Sequence, residues 1–206
     1  MKPLKYNTDL IGPTFTGQVM DLKHLNINDI KIEDIVHALS MQCRFGGHTK
    51  RFYSVAEHSY LMAHHLWAED YPPRLQMMAL LHDASEYLLS DVMRPIRRQA
   101  WMVEYNNFHT FLQSAIEQLY IGNITARERM VISDYDRRIL VDEKKQLLSC
   151  AVEWDLECDG LGILLFCWPP HRAEQNFLRL YHELETQFAV YAGIEDIKEK
   201  VAHAEC

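Results

Sequence analysis

The chain has five cysteines and no C-x-x-C pair among them. Cys43, Cys150, Cys158, Cys167 and Cys206 are odd in number and irregularly spaced, so neither a disulfide framework nor a zinc ribbon is encoded. Reduced thiols in a cytoplasm are the expectation. Long apolar runs are missing too. The longest, residues 161–168, contains Gly162 and stops at Pro169-Pro170, far below the roughly 20 residues that cross a bilayer. No apolar segment of the signal-peptide kind follows Met1-Lys2-Pro3-Leu4-Lys5. There is no basic excess: 21 Lys+Arg face 29 Asp+Glu, a net charge of −8. That excludes a global footprint for duplex nucleic acid, and any anionic ligand has to be met by a local cluster of cations. Internal repeats and low-complexity stretches are also lacking, and period-two alternation is nearly absent, which argues against a β protein.

What is present is a helical pattern. With 206 residues, 48% of them apolar and 24% charged, the chain can build one sizeable core, and a single domain over 1–206 is expected. Residues 1–28 carry Pro3, Gly12, Pro13 and Gly17 without a sustained period and read as an irregular arm. The helical core spans 30–191, followed by a charged tail over 192–206. Ile32, Ile35, Val36 and Leu39 form an i, i+3, i+4, i+7 stripe that Gly46-Gly47 is expected to end. Ser54 and Glu57 suggest a capping box for a helix reaching about residue 70. Pro72-Pro73 opens another, with Leu75, Met78, Ala79 and His82 on one face. Pro95 starts or kinks a long helix to about residue 120, closed by Gly122. Thr125 and Glu128 make a second capping box, for a helix to about residue 150. A loop over 159–168 precedes a last helix, about 171–191. The architecture is therefore an all-α bundle of six or seven helices.

The eleven histidines matter by position. His82-Asp83 ends an apolar string, Ala79-Leu80-Leu81. An isolated His-Asp step is ordinarily a surface rung of an amphipathic helix, and burying its carboxylate unpaired costs several kcal/mol. His58, however, aligns with Leu61, Met62 and His65 and faces the core. Asp136 aligns with Ile132, Ile139 and Leu140 and also faces inward, whereas Asp134 aligns with Val131, Arg138 and Val141. Two inward carboxylates and two inward histidines suit one metal ion, which neutralises the acids and uses neutral imidazole. His64 and His65 read as structural. His65 lies about 10.5 Å along the helix from His58, too far for both to ligate one ion.

The order His58 … His82-Asp83 … Asp136 resembles the H…HD…D signature of the HD-domain metal-dependent phosphohydrolases. The strings Arg44-Phe45-Gly46-Gly47-His48, Ser54-Val55-Ala56-Glu57-His58-Ser59, Leu80-Leu81-His82-Asp83-Ala84-Ser85-Glu86 and Asp91-Val92-Met93-Arg94-Pro95-Ile96 strengthen it. They are similar to bacterial 5′-deoxynucleotidases and, more closely, to compact phage and prophage HD nucleotide hydrolases, a group that includes deoxyadenosine triphosphate triphosphohydrolases. The resemblance covers about residues 30–150. It implies an HD-domain bundle with His58, His82, Asp83 and Asp136 as ligands of one divalent metal: Co, Mn, Zn or Fe, with Mg also admissible. It implies that Glu86 positions or deprotonates the attacking water, and that Asp91 supports the water or substrate; Asp91 could instead cap a helix ahead of Pro95.

Substrate contacts follow from the same resemblance. Arg44 is the expected phosphate cation, since a guanidinium fork grips phosphate bidentately. Phe45 stands where the deoxynucleotidases usually carry a tryptophan; it stacks on the substrate or belongs to the core. Arg94, Arg97 and Arg98 form a second basic cluster, with Arg98 expected at the phosphates. Ile96 lies where the compact phage enzymes shape the base pocket, and its branched side chain would exclude a purine 2-amino group. The activity implied is metal-dependent hydrolysis of a dNTP, with dATP preferred, releasing nucleoside and triphosphate. A 5′-deoxynucleotidase acting on dNMPs uses the same ligands, and a nucleotide-binding sensor on an HD scaffold is the non-enzymatic alternative. The expected partner is a small nucleotide, with no nucleic acid and no membrane. Self-association is expected, with Trp101, Tyr105, Phe108 and Phe111 in the core or at the interface.

Overall fold

Ile32, Ile35, Val36 and Leu39 recur at helical spacing, and in the computed structural model of the chain they are the buried face of helix α1 (Ile32–Met41). The structure describes residues 10–11, 13–149 and 157–204. Residues 1–9, with Pro3, and also Gly12, Cys150 and Cys206, lie outside the described residues.

The structure is 65% helix and 2% strand, the all-α architecture expected. The arm is not wholly irregular. Strands β1 (Leu10–Ile11) and β2 (Met20–Asp21) pair antiparallel, Leu10 opposite Asp21 and Ile11 opposite Met20. Between them Gly17 takes a φ of 85°, and its N–H donates to the Thr14 carbonyl at 2.9 Å.

Helix α1 stops at Met41, before the glycines expected to end it. Gln42 is extended, and the chain there pairs with the start of the next element: Arg44 N–H donates to Tyr53 O at 2.9 Å and Val55 N–H to Gln42 O at 3.2 Å. The glycines serve a tight turn instead, with φ of 57° at Phe45 and 59° at Gly46. Helix α2 (Val55–Ala68) opens on Ser54, whose Oγ accepts the Glu57 N–H at 3.0 Å. The reciprocal half of that capping box is absent, because the Glu57 carboxylate turns to the loop 159–168. Its oxygens accept the N–H groups of Phe166, Cys167 and Trp168 at 2.9, 2.8 and 2.6 Å.

Helix α3 (Pro73–Leu81) begins on proline, as expected. Two single turns follow, α4 (Glu86–Leu89) and α5 (Arg94–Arg97). Pro95 therefore opens only one turn. Gln99 is extended, Asn106 Nδ2 donates to the Arg97 carbonyl at 2.7 Å, and the long helix α6 starts at Val103 and runs to Tyr120. Gly122, at φ 85°, closes it. Helix α7 (Ala126–Leu147) has the complete Thr125/Glu128 capping box. Helix α8 (Pro170–Ala204) continues through most of the segment read as a tail. Ala173, Phe177, Tyr181 and Leu184 of α8 join Leu39, Met62, Leu66, Leu80, Leu112 and Ile116 in one core. Phe108 packs against that core, whereas Trp101 and Phe111 are outside it, 71% and 54% exposed. No helix among the described residues is long and apolar enough to cross a membrane.

Candidate metal centre

Three packed elements bring the predicted residues together. His58 comes from α2, His82 and Asp83 from the turn that ends α3, and Asp136 from α7. His58, His82 and Asp83 offer ligand atoms that all lie within 4.8 Å of one another and could hold a metal ion. Asp136 Oδ1 is 3.4 Å from His58 Nε2 and 3.9 Å from His82 Nε2. Asp83 Oδ2 is 3.2 Å from His82 Nε2 and 3.8 Å from His58 Nε2.

The tautomers suit the cluster to a cation. His82 Nδ1 is 2.7 Å from the Ala79 carbonyl oxygen, which only accepts, so Nδ1 carries the proton. His58 Nδ1 is 2.6 Å from Glu143 Oε1 and donates to it. In its neutral form each ring thus turns an Nε2 lone pair inward, and the two Nε2 atoms are 3.2 Å apart. Two inward lone pairs flanked by two carboxylates favour a positive charge between them, in addition to Arg44 at Asp83 and Arg94 at Asp136 on the outer side. The same demand appears in the titration. Burial works against a charged His82, but Asp83 and Asp136 outweigh it and hold the imidazole pKa well above its usual value. Burial is likewise outweighed at Asp136, where His58 and His82 hold the carboxyl well below the usual range. A donor set of two imidazoles and carboxylates fits a divalent transition metal.

Glu143, seven residues after Asp136 on the same face of α7, is a site residue that its charged neighbours conceal in the sequence. It is fully buried, orients His58, and accepts Arg44 Nη2 at 3.2 Å. Arg44 Nη1 also reaches Asp83 Oδ2 at 3.3 Å. The guanidinium expected at the phosphate is thus 8% exposed and committed to two acids of the centre. Phe45 is partly buried beneath it, with the Arg44 guanidinium carbon 5.6 Å from the ring centroid. Asp91 Oδ2 accepts the Phe45 N–H at 3.1 Å, which holds the left-handed backbone there. It does not cap α5, whose N-terminal flanking residue is Met93. Gln42 joins this region, donating to the Glu86 carbonyl at 3.0 Å and accepting the Asp91 N–H at 3.1 Å.

Glu86 is 4% exposed, and its Oε2 has no hydrogen-bond partner. Burial, with the nearby charges of Asp83 and Asp91, pushes its pKa well above the usual carboxylate range. At the rim, Arg94 Nη2 is 2.5 Å from Asp136 Oδ2, while the side chain is 55% exposed. Arg97 is anchored instead to Asn106 and His109. Arg98 and Ile96 are exposed. His64 is exposed beside Tyr60 and Trp67, and His65 pairs with Glu69 at 3.2 Å, so neither joins the cluster.

No protein-family model matches the chain. It is 34% identical over 107 residues to the uncharacterized protein YfdR of Escherichia coli (strain K12), covering 52% of this chain and 56% of YfdR. It is 42% identical over 87 residues to the uncharacterized protein RCAP_rcc00048 of Rhodobacter capsulatus, covering 40% and 44%. The chain thus spans about half the length of the curated relatives it matches. Fold and geometry together make this an all-α protein with a candidate metal centre.

Proposed function

We propose that the protein is a metal-dependent phosphohydrolase acting on deoxynucleotides, a dNTP triphosphohydrolase that prefers dATP and releases nucleoside and triphosphate. The observation that carries the reading is the inward pair of imidazole lone pairs flanked by Asp83 and Asp136. His58, His82, Asp83 and Asp136 would hold one divalent ion, which supplies charge for a phosphate oxygen and acidifies a water. The chain's residues do the rest. Glu143 fixes the His58 tautomer, and Arg44 holds Asp83 and Glu143 in place. Glu86, with its raised pKa and unpaired oxygen, takes the proton of the attacking water. Arg94, half-exposed at the rim where one nitrogen contacts Asp136, turns the rest of its guanidinium to the phosphate.

The test is product analysis over dNMPs and dNTPs with manganese or cobalt. Free triphosphate from dATP is the expected product; orthophosphate from dAMP would assign the 5′-deoxynucleotidase instead, and no metal-dependent product would overturn the reading. Asp83→Ala is expected to lose metal and activity together. Glu86→Ala is expected to keep metal, by elemental analysis, and lose turnover by about a hundredfold or more.

A further inference from the structure

A continuous helix through α3 and α4 would join the Ser85 N–H to the Leu81 carbonyl, four residues back. That bond is replaced. The Gln113 side chain of α6 stands between the two groups: its Oε1 accepts the Ser85 N–H at 3.0 Å, and its Nε2 donates to the Leu81 carbonyl at 2.9 Å. The orientation of the carboxamide is forced, since one group only donates and the other only accepts. The backbone around it is tightened to bonds three residues apart. Ala84 N–H donates to Leu81 O, Glu86 N–H to Asp83 O and Tyr87 N–H to Ala84 O, at 3.1, 3.0 and 3.2 Å. A side chain inserted into the helical ladder breaks a helix, and here the break falls at His82 and Asp83. Gln113 is itself held. Its Nε2 also donates to Glu117 Oε1 at 3.2 Å, and Arg129 of α7 donates to both Glu117 oxygens at 3.1 and 2.6 Å. One turn earlier on α6, His109 Nε2 is 3.1 Å from Ser85 Oγ. His109, Gln113 and Glu117 thus form a buried polar row on a helix that supplies none of the four predicted ligands.

We propose that Gln113 is a positioning residue: its carboxamide holds the helix open between Leu81 and Ser85, and the open turn aims His82 and Asp83 at His58 and Asp136. The inference rests on the metal centre of the phosphohydrolase reading and on no particular substrate. Gln113→Met nearly conserves volume and removes both hydrogen bonds to the turn. In a crystal structure of the metal-free variant, the Ser85 N–H is expected to close onto the Leu81 carbonyl and to turn His82 away from His58. In manganese titration of the full chain, affinity is expected to fall about tenfold or more. Leu112→Ala is the control, since Leu112 is fully buried on the same helix. It should lower the urea midpoint and bind manganese as the wild type does. An unchanged turn in the variant, an unchanged manganese affinity, or an equal loss in Leu112→Ala overturns the proposal. If Gln113→Met fails to fold, linkage supplies a measurement on the wild type. Zinc should slow hydrogen exchange at the Ser85 amide and the Gln113 carboxamide about fivefold or more, and unchanged exchange overturns the proposal. A wild type that hydrolyses dATP, with manganese affinity unmoved in Gln113→Met, keeps the phosphohydrolase and loses the role of Gln113. A wild type that binds manganese through Gln113 and hydrolyses no nucleotide does the reverse, and one that binds neither metal overturns both.

Discussion

A 2.6 Å hydrogen bond from His58 Nδ1 to Glu143 dictates what His58 can offer at its other nitrogen. Burial raises the Glu143 pKa, but Arg44 and His58 outweigh it and keep the carboxyl below its usual range. Glu143→Gln removes that charge and frees the tautomer. Metal affinity is expected to fall about 10–100-fold, measured by manganese titration, with the helical circular-dichroism spectrum unchanged. His58 and Asp136 were legible because apolar neighbours at i+3 and i+4 reveal an inward face. Glu143 lies seven residues after Asp136 on that same face, yet its neighbours Asp142, Lys144 and Lys145 give the string a solvent-facing look. Its contacts with α2 and Arg44 separate it from them.

Among the helices, two capping motifs of the same type end differently. Thr125 and Glu128 satisfy each other at the start of α7, where the site is exposed. Ser54 caps α2 in the same way, but Glu57 is fully buried and serves three N–H donors of the loop 159–168. Glu57→Ala leaves those donors without their acceptor, with an expected loss of about 3 kcal/mol and faster proteolysis within the loop. Thr125→Ala should cost about 1 kcal/mol. Denaturant midpoints for the two variants check the ranking. Spacing predicts a cap, but which partner an acid chooses depends here on a loop 109 residues further along the chain.

Over the molecule as one body, His109 connects α6 to the turn after α3 and to α5. Its Nε2 is 3.1 Å from Ser85 Oγ and 3.3 Å from Arg97 Nη1. Burial, then the Arg97 charge, push its pKa down to about 4 from 6.5. The unfolded chain therefore binds a proton at this residue below about pH 6.5, which the folded chain refuses until about pH 4. Stability present at pH 7 is lost as the pH falls through that window, by at most about 3 kcal/mol and by less where water screens the ring. Urea unfolding at pH 7 and pH 5 should show a larger decline for wild type than for His109→Gln; equal declines would remove His109 as the cause.

Spacing and local caps alone specify the helical class, most helix starts and the inward direction of His58 and Asp136, because each of these depends on residues within a turn or two of one another. Packing chose where α1 ends, that Pro95 opens only one turn, and which acid orients His58. It also chose to bury Arg44 between Asp83 and Glu143 and to leave Arg94 at the rim. Those outcomes depend on donors and acceptors that meet only when distant segments come together, and no local period encodes them.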